Sequence, residues 1–408
     1  MYIVSILNFY NELGVLNTKM ILFRKYYCKL CGFKIRNYVY IPKHSKRKAK
    51  IVICKKCQLV QSVFRKSNFK KKASLSSDAD WGNVRHGKKL RLDKQTENIN
   101  FDLYLKGKVL DIGSNRGDFI KFALKNKNVE EVYALEPDLN LIDYFDEDKT
   151  KIINDRIENI NFNKTIKFDF IYCSHTLEHL DEFESLFNLF NNNLAESGKI
   201  LIDVPNITFI ENKNLTEEFF IDKHKFHFSI SSLENLISRY NYQNHYSHYE
   251  NNNLIYIIKK SEDQISNVKS NVRLSTIDYK NLIRNYKHNL RNNRRKLTKI
   301  VKSEFLDTIN NKRVVIWGAG RILNSLLKYG NLKLNNNVML VDSYLTNLPN
   351  DIVQEYYLNK VQLPKEIESY NPEVIFILAN SAESEINKIL KSSFNKKVVL
   401  WNEIMKKY

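Results

Sequence analysis

The sequence contains no hydrophobic run long enough to cross a membrane. A helical span needs about 18 or more uninterrupted apolar residues, and polar or charged residues break the apolar stretches of this chain well before that length. Residues 1–7 also lack the basic flank and cleavage site of a secretory signal. These absences argue against an integral membrane protein and predict a cytoplasmic one. The 408 residues suffice for two or three domains.

Acidic residues are scarce relative to basic ones. The chain has 45 Asp and Glu against 65 Lys and Arg, which gives a formal net charge of +20. A basic surface can bind nucleic acid by releasing counterions from the phosphates. However, Lys and Asn are abundant along the whole chain, and the dense basic runs at 43–50 and 291–299 lie outside the predicted catalytic fold. The charge therefore favours a solvated surface, with nucleic-acid binding as the alternative.

Cysteine is scarce too, since there are only five. Four of them form two Cys-x-x-Cys pairs with 22 residues between the pairs, at positions 32–53. Two residues between thiolates let one knuckle present both sulfurs to a tetrahedral ion, so the spacing predicts a structural zinc ribbon with the ligands Cys28, Cys31, Cys54 and Cys57. Two disulfides are the alternative, which the missing signal peptide disfavours. Cys173 is interpreted as a small buried residue at a strand end rather than a nucleophile.

Residues 109–119, with the sequence VLDIGSNRGDF, predict a buried strand that turns sharply into a helix. Gly113 and Gly117 allow the backbone to approach a ligand at the carboxyl end of a parallel strand. Strands that alternate with helical patterns follow along the chain up to residue 258. The pattern predicts a doubly wound α/β sheet with a nucleotide-cofactor site at this loop.

Three further strands are predicted to carry polar residues to the same edge. The strand 132–135 ends in Glu136, about 20 residues beyond the glycines, where a carboxylate can accept hydrogen bonds from ribose hydroxyls. Asp155 follows the next strand, and the strand 168–172 leads to His175. A helix is predicted from Leu177 to Phe190 because its apolar residues recur at helical spacing.

This order of glycine loop and acids resembles the class I methyltransferases that use S-adenosylmethionine, over about residues 103–260. A nicotinamide-type Rossmann domain is the alternative. Asn115 stands where the usual pattern has its middle glycine. This sequence motif resembles that of the sugar C-methyltransferases. The resemblance implies a loop at the methionine part of the cofactor, an acid on its ribose, an acid near its adenine and a histidine near the methionine part. The loop residues are Asp111, Gly113, Ser114, Asn115 and Gly117. The acid on the ribose is Glu136, the acid near the adenine is Asp155, and the histidine near the methionine part is His175.

The C-terminal part predicts a second nucleotide-type fold. Residues 313–320, RVVIWGAG, give another strand and glycine turn, and the strand 338–341 ends in Asp342. Leu323 replaces the third glycine of the dinucleotide fingerprint, which disfavours tight pyrophosphate binding. A structural or substrate-cradling domain is therefore favoured over an independent cofactor site.

The three parts together resemble the C-methyltransferases of deoxysugar biosynthesis, which act on nucleotide-linked keto sugars. In that family a histidine before a Tyr-Phe-Ser stretch removes the proton next to the ketone. That histidine corresponds to His224, whereas Lys223 and His227 stand at the family's glutamate and tyrosine positions. Histidine suits this proton transfer because its pKa lies near neutrality. The predicted catalytic residues are His224, His227 and His179. A metal-dependent reaction is disfavoured because no cluster of Asp or Glu residues accompanies these histidines.

The predicted organisation is a zinc ribbon at 20–66, a linker or lid at 67–98, a methyltransferase domain at 99–260, a helical connector at 261–310 and a Rossmann-like domain at 311–408. Trp81 either lids the pocket or packs the linker. The leading hypothesis is methylation of a nucleotide-activated sugar, on carbon or oxygen, in surface glycan synthesis. The alternatives are a zinc-ribbon RNA methyltransferase and a catalytically silent cofactor-binding scaffold.

Overall fold

The computed structural model describes residues 26–64 without 44 and 46, 89–262 without 147, 161, 250 and 251, 277–343, and 361–408 without 380, 381, 394 and 395. Residues 67–88 of the predicted linker or lid, with Trp81, lie outside these residues, whereas its residues 89–98 form a helix of the central module. Within the described part of the chain, no helix is both long and apolar enough to span a bilayer.

The N-terminal module consists of short antiparallel strands. They are β1 (Tyr26–Tyr27), β2 (Lys34–Ile35), β3 (Tyr38–Tyr40), β4 (Lys50–Ile53) and β5 (Val60–Val63). β1 pairs with β2, and β4 pairs with both β3 and β5. One Cys-x-x-Cys turn lies between β1 and β2 and the other between β4 and β5, so both turns lie at strand connections.

The central module is a seven-stranded sheet with helices on both faces. Its elements are α1 (Lys89–Asn98), β6 (Gly107–Ile112), α2 (Asp118–Ala123), β7 (Val129–Leu135), β8 (Thr150–Ile153), β9 (Phe168–Ser174), α3 (Glu184–Asn193), β10 (Leu194–Pro205), β11 (Phe226–His227), α4 (Ile230–Arg239), β12 (Tyr242–Tyr249) and β13 (Asn253–Lys260). The strand order is β12-β13-β10-β9-β6-β7-β8, with β13 antiparallel to both of its neighbours. The carboxyl ends of β6 to β10 therefore share one edge, where ligands bind in open α/β sheets.

Residues 177–190 do not form the single helix that was predicted. The structure has a short 3₁₀ turn, Leu177–His179, and α3 begins only at Glu184. The carbonyl of Glu178 accepts a hydrogen bond from the amide of Lys225 instead of continuing a helical ladder. The chain thereby presents Glu178 and His179 at the carboxyl edge of the sheet.

The C-terminal module is a parallel sheet, as predicted. Its elements are α6 (Leu306–Asn311), β14 (Val314–Trp317), α7 (Arg321–Gly330), β15 (Val338–Val341), β16 (Val361–Gln362), α8 (Glu366–Tyr370), β17 (Val374–Ile377), α9 (Glu383–Ser393), β18 (Lys397–Leu400) and α10 (Trp401–Lys407). The order is β16-β15-β14-β17-β18, and all four pairings are parallel. Between β14 and β17 the order changes direction, which places the glycine turn 318–320 at the switch point.

Two elements join the three modules. β11 leaves the central module and pairs with β5, which makes it the fourth strand of the β3-β4-β5 sheet. The connector preceding α6 is the helix α5 (Tyr279–Ile300). Asp278 caps its start, because the carboxylate of Asp278 accepts hydrogen bonds from two first-turn amides. One face of this connector helix is buried along its length, at Tyr279, Ile283, Tyr286, Leu290, Leu297 and Ile300.

A buried carboxylate connects the connector helix to the other modules. The Tyr286 hydroxyl donates to Glu218 at 2.7 Å and accepts from the amide of Phe219 at 2.8 Å. Tyr40 of the ribbon donates to the other oxygen of Glu218 at 2.7 Å. Burial raises the pKa of Glu218, so these two hydroxyls compensate a carboxylate that is costly to keep charged here.

We predict that Tyr286→Phe lowers the free energy of unfolding by about 1–3 kcal/mol, because it deprives a buried amide and a buried carboxylate of hydrogen bonds. Urea denaturation of the full chain measures this. Tyr27→Phe is the control, since Tyr27 is 56% exposed and should change the free energy of unfolding by less than about 0.5 kcal/mol. Equal effects of both changes would contradict the role assigned to the hydroxyl of Tyr286.

Candidate active site

The turn after β6 is built from alternating left-handed residues. Gly113, Asn115 and Gly117 have φ values of 68°, 52° and 72°. A Cβ at Gly113 would lie 2.3 Å from Oγ1 of Thr176, so only glycine fits there. Asparagine tolerates this conformation better than other side chains do, which explains Asn115 at a position where glycine is usual. The Ser114 hydroxyl donates to the carbonyl of Asp111 at 2.7 Å and closes the turn.

Glu136 anchors this turn from the end of β7. Its Oε2 accepts from the amide of Asn115 at 2.7 Å, and its Oε1 accepts from the amide of Asp138 at 3.0 Å. A carboxylate can accept about four hydrogen bonds, so it can hold the turn and a ribose hydroxyl together. Asp155 lies beyond β8 near the same edge and is exposed. It accepts from the side-chain amide of Asn159 at 2.7 Å, and this bond lowers its pKa.

Behind the turn lies a buried polar network that connects α1 to the sheet. The side chain of Gln95 donates to Asp203 at 2.7 Å and accepts from the Tyr172 hydroxyl at 2.8 Å. Ser174 donates to the same oxygen of Asp203 at 2.9 Å. Asp111 is also fully buried here. The network fixes the ends of β9 and β10 relative to each other and to α1, and thereby the edge at which a ligand would bind.

Three histidines surround the carboxylate of Glu178. Its Oε1 lies 3.3 Å from Nδ1 of His175, 3.9 Å from Nε2 of His179 and 4.0 Å from Nε2 of His224. The rings of His179 and His224 meet edge to face, with centroids 4.9 Å apart. The Glu178 side chain is only 1% exposed. The structure thus brings the predicted cofactor residue His175 together with two of the three predicted catalytic histidines.

His227 occupies a different environment. Its Nε2 lies 2.8 Å from the hydroxyl of Ser62 in β5, and its ring packs against Phe219 and Phe220. Burial lowers its pKa to about 3. This placement favours a role in joining β11 to the ribbon over the catalytic role predicted from the sequence.

The two other predicted catalytic histidines are held neutral by their surroundings. Desolvation, helped by the charges of Lys223, Lys225 and Arg91, lowers the pKa of His179, although its side chain is still 37% exposed. Burial also lowers the pKa of His224 well below its usual value, and Arg321 at the start of α7 contributes to this. A neutral imidazole is the form that can accept a proton.

The four cysteines of the ribbon form one cluster. Cys28 and Cys57 have their sulfurs 3.4 Å apart, and so have Cys31 and Cys54. These distances are too long for disulfides and are close to the sulfur separations around a tetrahedral ion with bonds of about 2.3 Å. All four sulfurs lie within 4.8 Å of one another. The cluster thus fits a structural zinc ion by donor type and by geometry.

Comparison with protein families decides what the central module is. A family model described as a methyltransferase domain matches residues 84–247. The chain contains a methyltransferase domain. Its strand order, its left-handed turn and the acid at the end of β7 agree with this, and the protein is an S-adenosylmethionine-dependent methyltransferase. No curated protein matched the sequence.

Several solved structures resemble part of the methyltransferase. An S-adenosylmethionine-dependent methyltransferase from Mesorhizobium loti is 12% identical, and the match covers 38% of this chain and 92% of that one with a TM-score of 0.32. DhpI in complex with SAH is 13% identical, with 43% and 88% covered and a TM-score of 0.34. The mitomycin 7-O-methyltransferase MmcR is 14% identical, with 43% and 54% covered and a TM-score of 0.34. Likenesses at this level leave the acceptor open.

The residues of the methyltransferase edge fit the cofactor. Its ribose hydroxyls require a carboxylate at the end of the second strand, and Glu136 provides one. Its amino-acid part requires a tight turn with accessible backbone, which the left-handed residues 113–117 provide. The sequence reasoning missed Gln95 and Asp203, which fix this edge, and it did not assign Glu178 a role. The spacing His175-x-x-Glu178-His179 is a signal that could have pointed to Glu178.

We predict that Glu136→Gln weakens binding of S-adenosylhomocysteine by about 1–3 kcal/mol, because a neutral amide cannot replace the charge-assisted hydrogen bonds of the carboxylate. Calorimetry on the full chain measures this. Glu131→Gln is the matched control: Glu131 lies on the same strand and pairs with Lys108 and Lys151 at 3.0 and 2.8 Å, away from the turn. An unchanged affinity in Glu136→Gln would contradict the ribose assignment.

Proposed function

We propose that the methyltransferase acts on a nucleotide-linked sugar, and that a histidine of the cluster around Glu178 accepts the proton which the acceptor loses. When bound, S-adenosylmethionine supplies an electrophilic methyl group on a positively charged sulfur. A carbon or hydroxyl acceptor must then give up a proton. Neutral imidazoles lie at the carboxyl edge of the sheet for this purpose, and the carboxylate of Glu178 stabilises the imidazolium that forms.

The observation that carries the proposal is the gathering of His175, His179 and His224 around Glu178 at the carboxyl edge of the sheet. The start of α7 in the second parallel-sheet module supports it. Arg321 opens α7, and its charge acts on His224. Gly320, the residue before this ten-residue helix, has no side chain to cap it. Helix amides and a guanidinium together favour a phosphate. We infer that this end of the C-terminal module holds the diphosphate while the sugar lies at the histidines.

The glycine turn of the C-terminal module does not favour binding of a separate dinucleotide cofactor. A Cβ at Gly318 would lie 2.6 Å from the backbone nitrogen of Ala379, so packing against the next strand end already requires this glycine. The amide of Ala319 donates to Asp342 at 3.1 Å. These contacts support a substrate-cradling domain rather than a second cofactor site.

The decisive experiment offers the protein a nucleotide-linked keto sugar together with S-adenosylmethionine in deuterated water. We expect methyl transfer to the sugar, found by mass spectrometry, and deuterium exchange next to the ketone if carbon is the acceptor. His224→Asn should lower methyl transfer by about 100-fold or more, which is typical for loss of proton transfer. Its affinity for S-adenosylhomocysteine should stay within a few-fold.

His245→Asn is the matched control, because His245 is an exposed histidine on β12 and contacts Tyr104 instead of the cluster. Its activity should equal that of the wild type. Methyl transfer to RNA instead of the sugar, with RNA affinity that falls steeply with salt, would favour the alternative function. An undiminished rate in His224→Asn would remove this histidine from the reaction.

We also propose that the cluster of Cys28, Cys31, Cys54 and Cys57 binds one structural zinc ion. With four protein ligands no coordination position is left for chemistry.

We predict that Cys54→Ser reduces the bound zinc by about one equivalent per chain and lowers methyl transfer. Methyl transfer should fall because β5 holds β11, and β11 begins two residues after His224. Metal analysis and thermal unfolding of the full chain measure the effect, with Cys173→Ser as the control at a buried cysteine outside the cluster. Full zinc content in Cys54→Ser would exclude this site.

A further inference from the structure

We propose that Glu178, His179 and His224 bind one divalent transition-metal ion beside the methyl-transfer site. The proposal adds a metal to the site of the proposed function and depends on that function for the role of the ion. Binding of the ion can be measured without it. The three residues come from two segments, a 3₁₀ turn after β9 and the loop before β11.

The ligand atoms already face one another. Both Nε2 atoms lie 3.9 and 4.0 Å from the same carboxylate oxygen of Glu178, and all three ligand atoms lie within 4.8 Å of one another. Ligands bound at about 2.0–2.2 Å from one ion are about 3–3.5 Å apart. Side-chain rotations that close the group by about 1 Å would therefore bring all three ligand atoms to bonding distance of one ion.

His179 is in the tautomer that a metal ligand needs, with its proton on Nδ1 and the lone pair on Nε2. Its Nδ1 lies 3.1 Å from the carbonyl oxygen of Lys223. Because a carbonyl only accepts, Nδ1 must carry the proton, and the lone pair of Nε2 is directed to the side of Glu178. Histidines that bind metals characteristically donate their other N–H to a carbonyl or carboxylate, which fixes the ring.

Exposure decides which side of the ion would be open. The Glu178 side chain is 1% exposed and that of His224 13%, whereas that of His179 is 37% exposed. Three protein ligands leave at least one coordination position for an oxygen of the acceptor. His175, 3.3 Å from Glu178 and outside the ligand set, is then the histidine of the cluster that accepts the proton, and His224→Asn would lower methyl transfer by removing a ligand of the ion.

The ligand types and charges indicate which ion fits. Two imidazoles and one carboxylate suit manganese, iron or zinc. Lys223, Lys225 and Arg91 lie close enough to lower the pKa of His179, and like charges oppose a cation. Lys225 is paired with Asp181, which reduces this opposition. We therefore expect weaker binding here than at the four-cysteine cluster.

The test titrates Mn²⁺ into the zinc-loaded full chain and follows it by electron paramagnetic resonance. Mn²⁺ distinguishes the two sites because thiolates select zinc, whereas carboxylate and imidazole also accept manganese. We expect about one Mn²⁺ per chain. Glu178→Gln and His179→Ala should each weaken binding at least tenfold, and His245→Ala should bind like the wild type. His179 is part-exposed, so its variant tests the site even if the change at buried Glu178 impairs folding.

The proposal is overturned if the wild type takes up no Mn²⁺ and retains one zinc after incubation with excess Zn²⁺, or if both variants bind Mn²⁺ like the wild type. Full methyl transfer in protein with only its ribbon zinc would overturn it too, and would leave the proposed function standing. Mn²⁺ binding that depends on Glu178, in a protein that methylates no nucleotide sugar, would instead support the metal site and contradict the proposed function.

Discussion

The arrangement of the active edge depends on the compensation of one buried carboxylate. Removing a carboxylate from water is costly unless charged or hydrogen-bonding groups surround it, and the side chain of Glu178 is almost completely buried. The nearest of the three histidines around it is His175, whose Nδ1 lies 3.3 Å from Oε1 of Glu178, while Nε2 of His179 and of His224 lie 3.9 and 4.0 Å away, where a bound cation would be shared with the carboxylate. The same requirement brings together residues that are 46 positions apart in the sequence, and so it joins the turn after β9 to the loop before β11.

The loop before β11 is positioned by the ribbon, which couples a module without catalytic residues to the active edge. β11 pairs with β5 in register, with Phe226 opposite Gln61 and His227 opposite Val60. The amide of Ser62 donates to the carbonyl of Lys225 at 2.8 Å. His224 therefore lies two residues before a strand whose place is fixed by the four-cysteine module. A ribbon that loses its fold would release this loop, so its contribution is to geometry rather than to chemistry.

Much of this architecture follows from local patterns in the sequence. Gly113, Gly117 and the acid at the end of β7 follow a spacing that geometry imposes, and the two Cys-x-x-Cys turns do meet as expected. The cluster around Glu178 could be predicted only in part. His175, Glu178 and His179 are neighbours in the chain, whereas His224 joins them through tertiary packing. His227 shows the same limit, because its burial results from a strand pairing between modules that periodicity does not reveal.

The backbone at His175 shows how firmly this edge is fixed. His175 has a φ of 50°, in the left-handed region that a non-glycine residue adopts at a cost of about 1–2 kcal/mol. Such strain persists only where the surroundings determine it. The amide of His175 donates to the carbonyl of Asp203 at 2.8 Å, and the carboxylate of Asp203 is held by Gln95 and Ser174. A relaxed backbone at this position would break the link to β10 and turn the imidazole away from Glu178. The strain is therefore maintained by the same buried network that holds α1 against the sheet, so the orientation of His175 depends on the interior of the domain.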